Sequence, residues 1–297
     1  MTRENLLKNI CGDPSEPYFI ADIGANHDGD LQKALDLINL VAESGGHAAK
    51  FQHFSAPSIV SNESFEGLGN KLAHQSEWKK SVFEIYQDAS LSLEWTEALK
   101  NECEQLGIDF FTSAYSLELV DFIEPFVDVY KIGSGDITWI EILEHTAKKN
   151  KPILLATGAS SLDDVARAVT AIKKYTRKIC LMQCNTNYTG SQENFKYCNL
   201  NVLKQYKSIY PDLTLGLSDH TPGHSTVLGA IALGASVFEK HFTDDNGRDG
   251  PDHSFAMNPK TWAEMVDRSK ELWVALGSGK KIIEDNEKES VIVQRRS

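Results

Sequence analysis

Eight short apolar runs alternate with segments of helical periodicity along almost the whole chain. The runs begin at Tyr18, His47, Asp109, Val127, Pro152, Lys178, Leu213 and Ser236. They are mostly apolar throughout, as expected for parallel strands that are buried on both faces. Eight strand–helix units predict an α/β fold of the (β/α)8 TIM-barrel type in a single domain. A doubly wound open sheet is the alternative, but it normally has fewer strands and a Gly-rich dinucleotide turn, which this sequence lacks.

The barrel leaves short segments at either end of the 297 residues. Residues 1–17 are polar and predict a loose N-terminal lead-in, residues 18–276 hold the barrel, and residues 277–297 form a charged C-terminal tail. Within the barrel, residues 55–90 predict a long polar loop with short helical pieces. Loops of that length in a compact domain are usually lids or binding loops.

Composition limits the classes of binding partner and the cellular location that we expect for the protein. The net charge of −12 and the scattered basic residues argue against binding to nucleic acid or to an anionic membrane surface. The sequence has neither a membrane-length apolar window nor the apolar core of a signal peptide, so we expect a cytoplasmic protein. The five cysteines form no CxxC pair, which favours free reduced thiols over a zinc site.

Two neighbouring runs end in a histidine beside a carboxylate. His220 closes Ser-Asp-His, His241 closes Glu-Lys-His, and a helical segment over residues 227–233 joins the runs. Parallel strands joined in this way carry both imidazoles to the same edge of the sheet. One strand-end histidine is more often structural, but two favour a shared metal ion. With no certain third protein ligand, substrate oxygens and water would complete the shell, which suits Mn²⁺ or Mg²⁺ better than structural zinc.

Two lysines lie inside apolar runs. Lys50 and Lys131 would be costly to bury without an anion, so anion binding is favoured over a surface location. Hydroxyls near the strand ends could support the anion, at Ser113, Ser134, Thr186 and Ser218. Lys131 could instead be a Schiff-base lysine, as in barrel aldolases.

Carboxylates also stand at the predicted carboxyl ends of the strands. Asp22 and Asp136 are candidates for acid–base groups or metal-water partners, and the alternative is that they only cap the loops. After the last strand, residues 243–257 form a loop long enough to reach over the site, although most of its charges are expected to be solvated.

Motifs spread over residues 18 to 280 resemble, in order, those of the sialic acid synthase (N-acetylneuraminate synthase) family. They are Ala21-Asp-Ile-Gly-Ala-Asn-His-Asp-Gly29, Ala49-Lys-Phe-Gln52, Tyr130-Lys-Ile-Gly-Ser-Gly135, Ala156-Thr-Gly158, Gly216-Leu-Ser-Asp-His-Thr221, Gly234-Ala-Ser-Val-Phe-Glu-Lys-His-Phe-Thr243 and Gly250-Pro-Asp-His253. The family condenses phosphoenolpyruvate with an N-acylated amino sugar. The resemblance therefore implies a barrel enzyme with these two substrates, working as a homo-oligomer, most simply a dimer.

The resemblance also implies roles for single residues. A divalent metal, manganese first and magnesium as the alternative, would bind His220 and His241, and Asp252 would contact sugar hydroxyls. The implied catalytic residues are Asp22, Asp136 and Lys131. The remaining implied substrate contacts are Lys50, Gln52, Ser113, Ser134, Thr186, Tyr188 and Ser218.

The chain departs from the family pattern at several positions. Asp22 and Asp136 stand where the family usually has glutamate, which withdraws each carboxylate by about 1 Å. The family's Ser-Thr-Pro-Phe appears as Thr112-Ser-Ala-Tyr115, and its His-Cys-Thr-(Ser/Asn)-x-Tyr-Pro appears as Gln183-Cys-Asn-Thr-Asn-Tyr-Thr189. We also expect the chain to lack the C-terminal antifreeze-like (SAF) domain, which in the family gives an arginine to the partner's sugar site.

Three functions follow as hypotheses. The first is condensation of phosphoenolpyruvate with an N-acetylmannosamine-like sugar, which yields a sialic-acid-type nonulosonate and phosphate. The second is a catalytically weak relative that binds metal and anions as a binding or regulatory protein, because the shortened carboxylates and the expected lack of the SAF domain weaken the case for catalysis. The third is a Schiff-base aldolase that uses Lys131.

Overall fold

Eight parallel strands close into a barrel in the computed structural model, which describes residues 6, 8, 10–12, 14–54 and 90–296. The strands are β1 (Tyr18–Asp22), β2 (Ala48–His53), β3 (Asp109–Ala114), β4 (Tyr130–Ile132), β5 (Ile153–Ala156), β6 (Ile179–Cys184), β7 (Thr214–Asp219) and β8 (Val237–His241). Each strand pairs with the next in sequence, and β8 pairs with β1. The predicted (β/α)8 barrel is confirmed.

Most of the described helices connect one strand to the next on the outside of the barrel, and the last two follow β8. They are α1 (Leu31–Glu43), α2 (Thr96–Leu106), α3 (Leu117–Ile123), α4 (Ile140–Lys148), α5 (Leu162–Lys173), α6 (Val202–Ile209), α7 (Ser225–Ala232), α8 (Pro259–Leu276) and α9 (Lys288–Gln294). Local sequence sets their starts: Asp30 caps α1, and Ser161 forms a capping box with Asp164 at α5. None of the helices in these described ranges is long and apolar enough to cross a bilayer.

The interior of the barrel changes from apolar to polar along each strand. On β1, the alternate residues Tyr18 and Ile20 pack in the interior apolar cluster, whereas Asp22 at the end of the strand forms ion pairs. Because side chains on one face of a strand repeat every second residue, the same inward face carries the core and then the polar site. The polar groups therefore meet at the carboxyl ends of the strands.

The N-terminal segment contributes to the core. Leu6 and Ile10 are buried in the interior cluster with Tyr18 and Phe111. The expectation of a loose lead-in was therefore wrong at these two positions, because their apolar side chains fill the amino-terminal end of the barrel. The long loop expected over residues 55–90 lies, apart from residue 90, outside the described residues.

Candidate active site

Polar side chains converge at the carboxyl-terminal mouth of the barrel, where barrel enzymes build their sites. Two histidines, two lysines and several carboxylates come from strands β1, β2, β4 and β8 and from the loops after β7 and β8: His220, His241, Lys50, Lys131, Asp22, Glu239 and Asp252. Contacts between strands β1, β2, β4, β7 and β8 join most of them into one cluster.

The two predicted metal ligands lie next to each other at the mouth, at the ends of the adjacent strands β7 and β8. The ring centroids of His220 and His241 are 5.4 Å apart. Nδ1 of His220 donates to the carbonyl oxygen of Asn185 at 2.8 Å, which orients the ring and makes Nε2 its electron-pair donor. On the other ring, Nδ1 of His241 is buried and has no hydrogen-bond partner among the described residues.

These donors fit a divalent cation that uses few protein ligands. Carboxylates flank His241, with Asp22 Oδ2 3.6 Å from Nε2 and Asp252 Oδ2 3.6 Å from Nδ1. Within the described ranges, no group of three or more His, Cys, Asp or Glu side chains is arranged to hold a metal ion. The two-histidine site thus stays a prediction that needs water or substrate oxygens as additional ligands.

Aromatic rings enclose the histidine pair. The Tyr188 ring lies 4.3 Å from that of His220, and the Phe255 ring lies 4.9 Å from that of His241 and 6.0 Å from that of His220. Phe255 is buried although it belongs to the loop after β8. Sequence reasoning missed Phe255, because a single aromatic residue in a polar loop gives no periodic signal. The rings cover part of the two imidazoles, which are each 7% exposed, and water therefore screens the electrostatic interactions there less than at the surface.

The loop after β8 is fixed to the loop after β1. The buried His253 places Nε2 2.9 Å from Asp28 Oδ1 and Nδ1 2.7 Å from Thr243 Oγ1. Asp252 Oδ2 accepts from the backbone N–H of Ala25 at 3.4 Å. A β-carbon on Gly24, which has φ +52°, would come within 2.9 Å of that oxygen. The glycine therefore leaves the space in which Asp252 lies beside His241.

The predicted anion-binding lysines are paired with carboxylates of the chain. Lys50 Nζ lies 2.7 Å from Asp22 Oδ2, and Lys131 Nζ lies 2.8 Å from Glu239 Oε1. The same Glu239 oxygen is 3.8 Å from Lys50 Nζ and accepts from Ser218 Oγ at 3.4 Å. Burial of the lysines thus does not by itself require an external anion, which corrects the reasoning from the apolar runs. Glu239 was not assigned a role from the sequence, although its alternation with His241 on β8 places both on the inner face.

The opposite charges of the cluster favour the ionised form of each other's side chains. Burial would raise the pKa of Asp22, but the positive charges of Lys50 and His241 outweigh it and the pKa is lowered. Burial would also lower the pKa of Lys50, and the charges of Asp22 and Glu239 raise it instead. Gln52 adds a hydrogen bond from Nε2 to Asp22 Oδ2 at 3.1 Å. Asp22 therefore stays ionised between the lysine and the histidine.

Hydroxyl groups line the β4–β6 side of the mouth. Ser134 Oγ accepts from the N–H of Gly158 at 2.9 Å. A β-carbon on Gly158 would lie 2.4 Å from Thr186 Cγ2 and 3.0 Å from Cys184 Sγ, so these groups pack closely around the glycine. Ser113 is buried and is the register partner of Lys131. The predicted hydroxyls of Ser113, Ser134 and Ser218 and the Thr186 side chain are thus brought to the same mouth.

Two further residues of the mouth gave no clear sequence signal. Burial would raise the pKa of the Cys184 thiol, but hydrogen bonds and charge from His220, with a hydrogen bond from Ser134, outweigh it and the pKa is lowered. Tyr115, where the family pattern has phenylalanine, has its pKa raised well above the usual range by burial and by the charges of Asp22 and Asp136. The phenol therefore remains protonated.

Asp136 is set apart from the lysine–carboxylate cluster. It ends a short 3-10 turn, Ser134–Asp136, that follows β4. Burial raises its pKa to about 6, and no ion pair or hydrogen bond seen among the described residues involves its side chain. Among the described residues, Asp136 is therefore not joined to the lysine–carboxylate cluster by a side-chain hydrogen bond or ion pair.

Comparison with known proteins places these features in context. A model of the NeuB family matches residues 37–281. The N,N'-diacetyllegionaminic acid synthase of Legionella pneumophila is 33% identical over 293 residues, which cover 94% of this chain and 79% of the relative. The human N-acetylneuraminate-9-phosphate synthase is 32% identical over 262 residues, which cover 88% of this chain and 71% of the relative. The N-acetylneuraminic acid synthetase of Leptospira borgpetersenii, whose crystal structure contains citrate, superposes with a TM-score of 0.82 at 26% identity over 94% of this chain and 92% of that chain.

Proposed function

The chain belongs to the NeuB family, and from this premise we propose that it condenses phosphoenolpyruvate with an N-acylated amino sugar. The acceptor would be similar to N-acetylmannosamine, and the products would be a sialic-acid-type nonulosonate and phosphate. Relatives named as synthases of N-acetylneuraminate 9-phosphate and diacetyllegionaminic acid support this class of reaction.

One observation carries the proposal: Asp22 connects the lysine pair to the histidine pair. Its Oδ2 is 2.7 Å from Lys50 Nζ and 3.6 Å from His241 Nε2. An anionic substrate at the lysines and a carbonyl at the histidines would then lie side by side. Such proximity is what a reaction that joins two substrates requires.

The histidines would hold a divalent cation, Mn²⁺ first and Mg²⁺ as the alternative. When bound, the cation would supply Lewis-acid polarisation of the aldehyde of the open-chain sugar. The hydrogen bond to the Asn185 carbonyl would orient His220 for this role, and Tyr188 and Phe255 pack against the two imidazoles.

The lysine side of the mouth would bind phosphoenolpyruvate. Lys50 and Lys131 offset the charges of its carboxylate and phosphate. The hydroxyls of Ser113, Ser134, Thr186 and Ser218 would donate hydrogen bonds to the same oxygens. On the other side, Gln52, Tyr188 and Asp252 would contact the sugar. Overall, one carbon–carbon bond forms, water adds at C2 of the former phosphoenolpyruvate, and the C2–oxygen bond to phosphate breaks.

Protons must move at three points in this reaction. The aldehyde oxygen gains a proton, the water that adds at C2 loses one, and the hydroxyl at C2 gives its proton to the departing phosphate as the carbonyl forms. Asp136, with a pKa of about 6, can exchange a proton near neutral pH, which suits a general acid–base group. Asp22 stays ionised and is better suited to orienting water or a lysine.

Phosphate release with a panel of N-acetylated hexosamines tests the proposal. Purified protein with Mn²⁺ and phosphoenolpyruvate should release phosphate only when a suitable sugar is present, and mass spectrometry should detect the condensed acid. His220→Ala should abolish release. Absence of release with every sugar would contradict the proposal.

A second candidate is a weakly catalytic relative that binds metal and anions. The shortened carboxylates at Asp22 and Asp136 favour it, and stabilisation by Mn²⁺ and phosphoenolpyruvate without turnover would identify it. The aldolase alternative requires a free Lys131 amine, whereas Lys131 Nζ is 2.8 Å from Glu239 Oε1. Borohydride trapping with pyruvate should therefore give no covalent adduct.

A further inference from the structure

Glu239 lies between the two lysines of the site and has no role in the reaction described above. It is on β8, 4% exposed, with Ser218 of β7 and Ile20 of β1 as register partners. One of its oxygens, Oε1, is 2.8 Å from Lys131 Nζ and 3.8 Å from Lys50 Nζ. The other, Oε2, is buried without a hydrogen-bond partner among the described residues. A single carboxylate oxygen thus bridges ammonium groups that come from two different strands.

The bridge has an electrostatic reason. Lys50 and Lys131 are 2% and 6% exposed, so water screens the repulsion between their ammonium groups poorly. Asp22 compensates Lys50 from one side, and Glu239 compensates Lys131 while also attracting Lys50. Without Glu239, Lys131 would lose its paired carboxylate, and Asp22 would be left to compensate Lys50. Glu239 therefore holds the lysines together in the absence of a ligand.

The same contact limits what the lysines offer to a ligand. Two lysines and two carboxylates, Asp22 and Glu239, sum to zero formal charge, and Asp252 adds a further carboxylate nearby. A phosphate or carboxylate that approaches Lys131 must compete with an oxygen already at 2.8 Å. Its attraction to the cluster is weaker than two uncompensated lysines would give. An additional cation restores that attraction.

We propose that Glu239 is a positioning residue that acts as a built-in counter-ion: it holds Lys50 and Lys131 in place and keeps the affinity for phosphate-type anions low until a divalent cation is bound. The inference deepens the proposed function and rests on it, because the anion in question is phosphoenolpyruvate. The arrangement makes anion binding depend on the cation, and it favours departure of the phosphate product.

Calorimetry on protein dialysed against a chelator tests this directly, with inorganic phosphate and phosphoenolpyruvate as probes. Glu239→Gln removes the charge and keeps the shape. We expect it to bind both probes at least about ten-fold more tightly than the wild type does without metal, which is about 1.4 kcal/mol. The increase in probe affinity on addition of Mn²⁺ should therefore be smaller in Glu239→Gln than in the wild type. Glu104→Gln, on the exposed face of α2, is the matched control and should bind like the wild type. Unchanged or weaker binding by Glu239→Gln would overturn the proposal.

Two further measurements separate this role from a merely structural one. Glu239→Asp retains the charge, so its metal-free affinity should remain low, and ten-fold tighter binding by this variant would contradict a charge effect. In turnover, Glu239→Gln should lower the KM for phosphoenolpyruvate together with kcat, because phosphate leaves slowly. If Glu239→Gln does not fold, the wild type still decides: equal affinity for phosphoenolpyruvate with and without Mn²⁺ would overturn the proposal.

The proposed function can fail independently. Binding of the probes needs no sugar, so tight metal-free binding by Glu239→Gln, with no phosphate release for any sugar, would refute the condensation and leave the counter-ion role standing. Turnover with a suitable sugar, together with unchanged anion affinity in Glu239→Gln, would support the condensation and refute the counter-ion role.

Discussion

Asp22 on β1 and Lys50 on β2 form a buried ion pair, with 2.7 Å between Oδ2 and Nζ. The two residues are register partners in adjacent parallel strands, so the pairing of β1 with β2 places their side chains next to each other. The same carboxylate lies beside His241 and accepts a hydrogen bond from Gln52. A residue one methylene shorter than the family pattern therefore still reaches both halves of the site.

Replacing Asp22 should test this pair through stability. Asp22→Asn leaves the buried Lys50 without its nearest counter-charge, and we expect a loss of about 3 kcal/mol in the free energy of unfolding. Urea denaturation at pH 7 measures it. Asp212→Asn, which breaks the exposed pair with Lys173, should cost no more than about 1 kcal/mol. Equal effects of the two substitutions would contradict a buried pair.

The histidine pair should control metal affinity. His220→Ala removes one of two imidazole donors, and we expect Mn²⁺ to bind at least about ten-fold more weakly, as measured by electron paramagnetic resonance of free Mn²⁺. His224→Ala, four residues further along and partly exposed at the start of α7, should leave the affinity unchanged. An equal loss in both variants would argue against a site at His220.

Asp136 should give a pH-dependent contribution to stability. Burial raises its pKa from 3.8 to about 6, so the folded state holds a proton that the unfolded state releases between those values. The contribution is therefore favourable at low pH and is lost as the pH rises towards 6. Asp136→Asn should be more stable than the wild type at pH 7.5 by about 1–2 kcal/mol, an estimate reduced for partial exposure, with no gain at pH 4. Parallel stability curves for the two proteins would contradict this.

The loop after β8 should loosen when its anchor is removed. His253→Ala deletes the contacts to Asp28 and Thr243, which lie at 2.9 and 2.7 Å. Hydrogen exchange over residues 243–258 should become faster. The KM for the sugar should rise at least about ten-fold while the KM for phosphoenolpyruvate changes little, because Asp252 would no longer be held beside His241.

The matched control for the loop is Arg248→Ala, which removes only the exposed pair with Asp244. It should affect neither hydrogen exchange near Asp252 nor either KM. A similar change in both variants would mean that His253 does not specifically hold the loop.

Much of the fold could be predicted because it depends on local patterns. The apolar runs predicted eight strands, which the structure confirms, and local caps at Asp30 and Ser161 begin α1 and α5. Boundaries were less accurate: the fourth run begins at Val127, whereas β4 begins at Tyr130. An apolar run shows which residues are buried, but the hydrogen bonds of the neighbouring strands decide where pairing ends.

The sequence by itself determined that histidines, lysines and carboxylates would meet at one end of a barrel, because residues two apart on a strand share a face and parallel strands share an edge. Only the tertiary structure decided how their charges are compensated. Lys131 and Glu239 are 108 residues apart, and no local pattern connects them. The positions of Phe255 over the histidines, and of Leu6 and Ile10 inside the barrel, likewise depend on packing between distant segments. Periodicity assigns a side chain to a face, whereas closure of the barrel selects its partner.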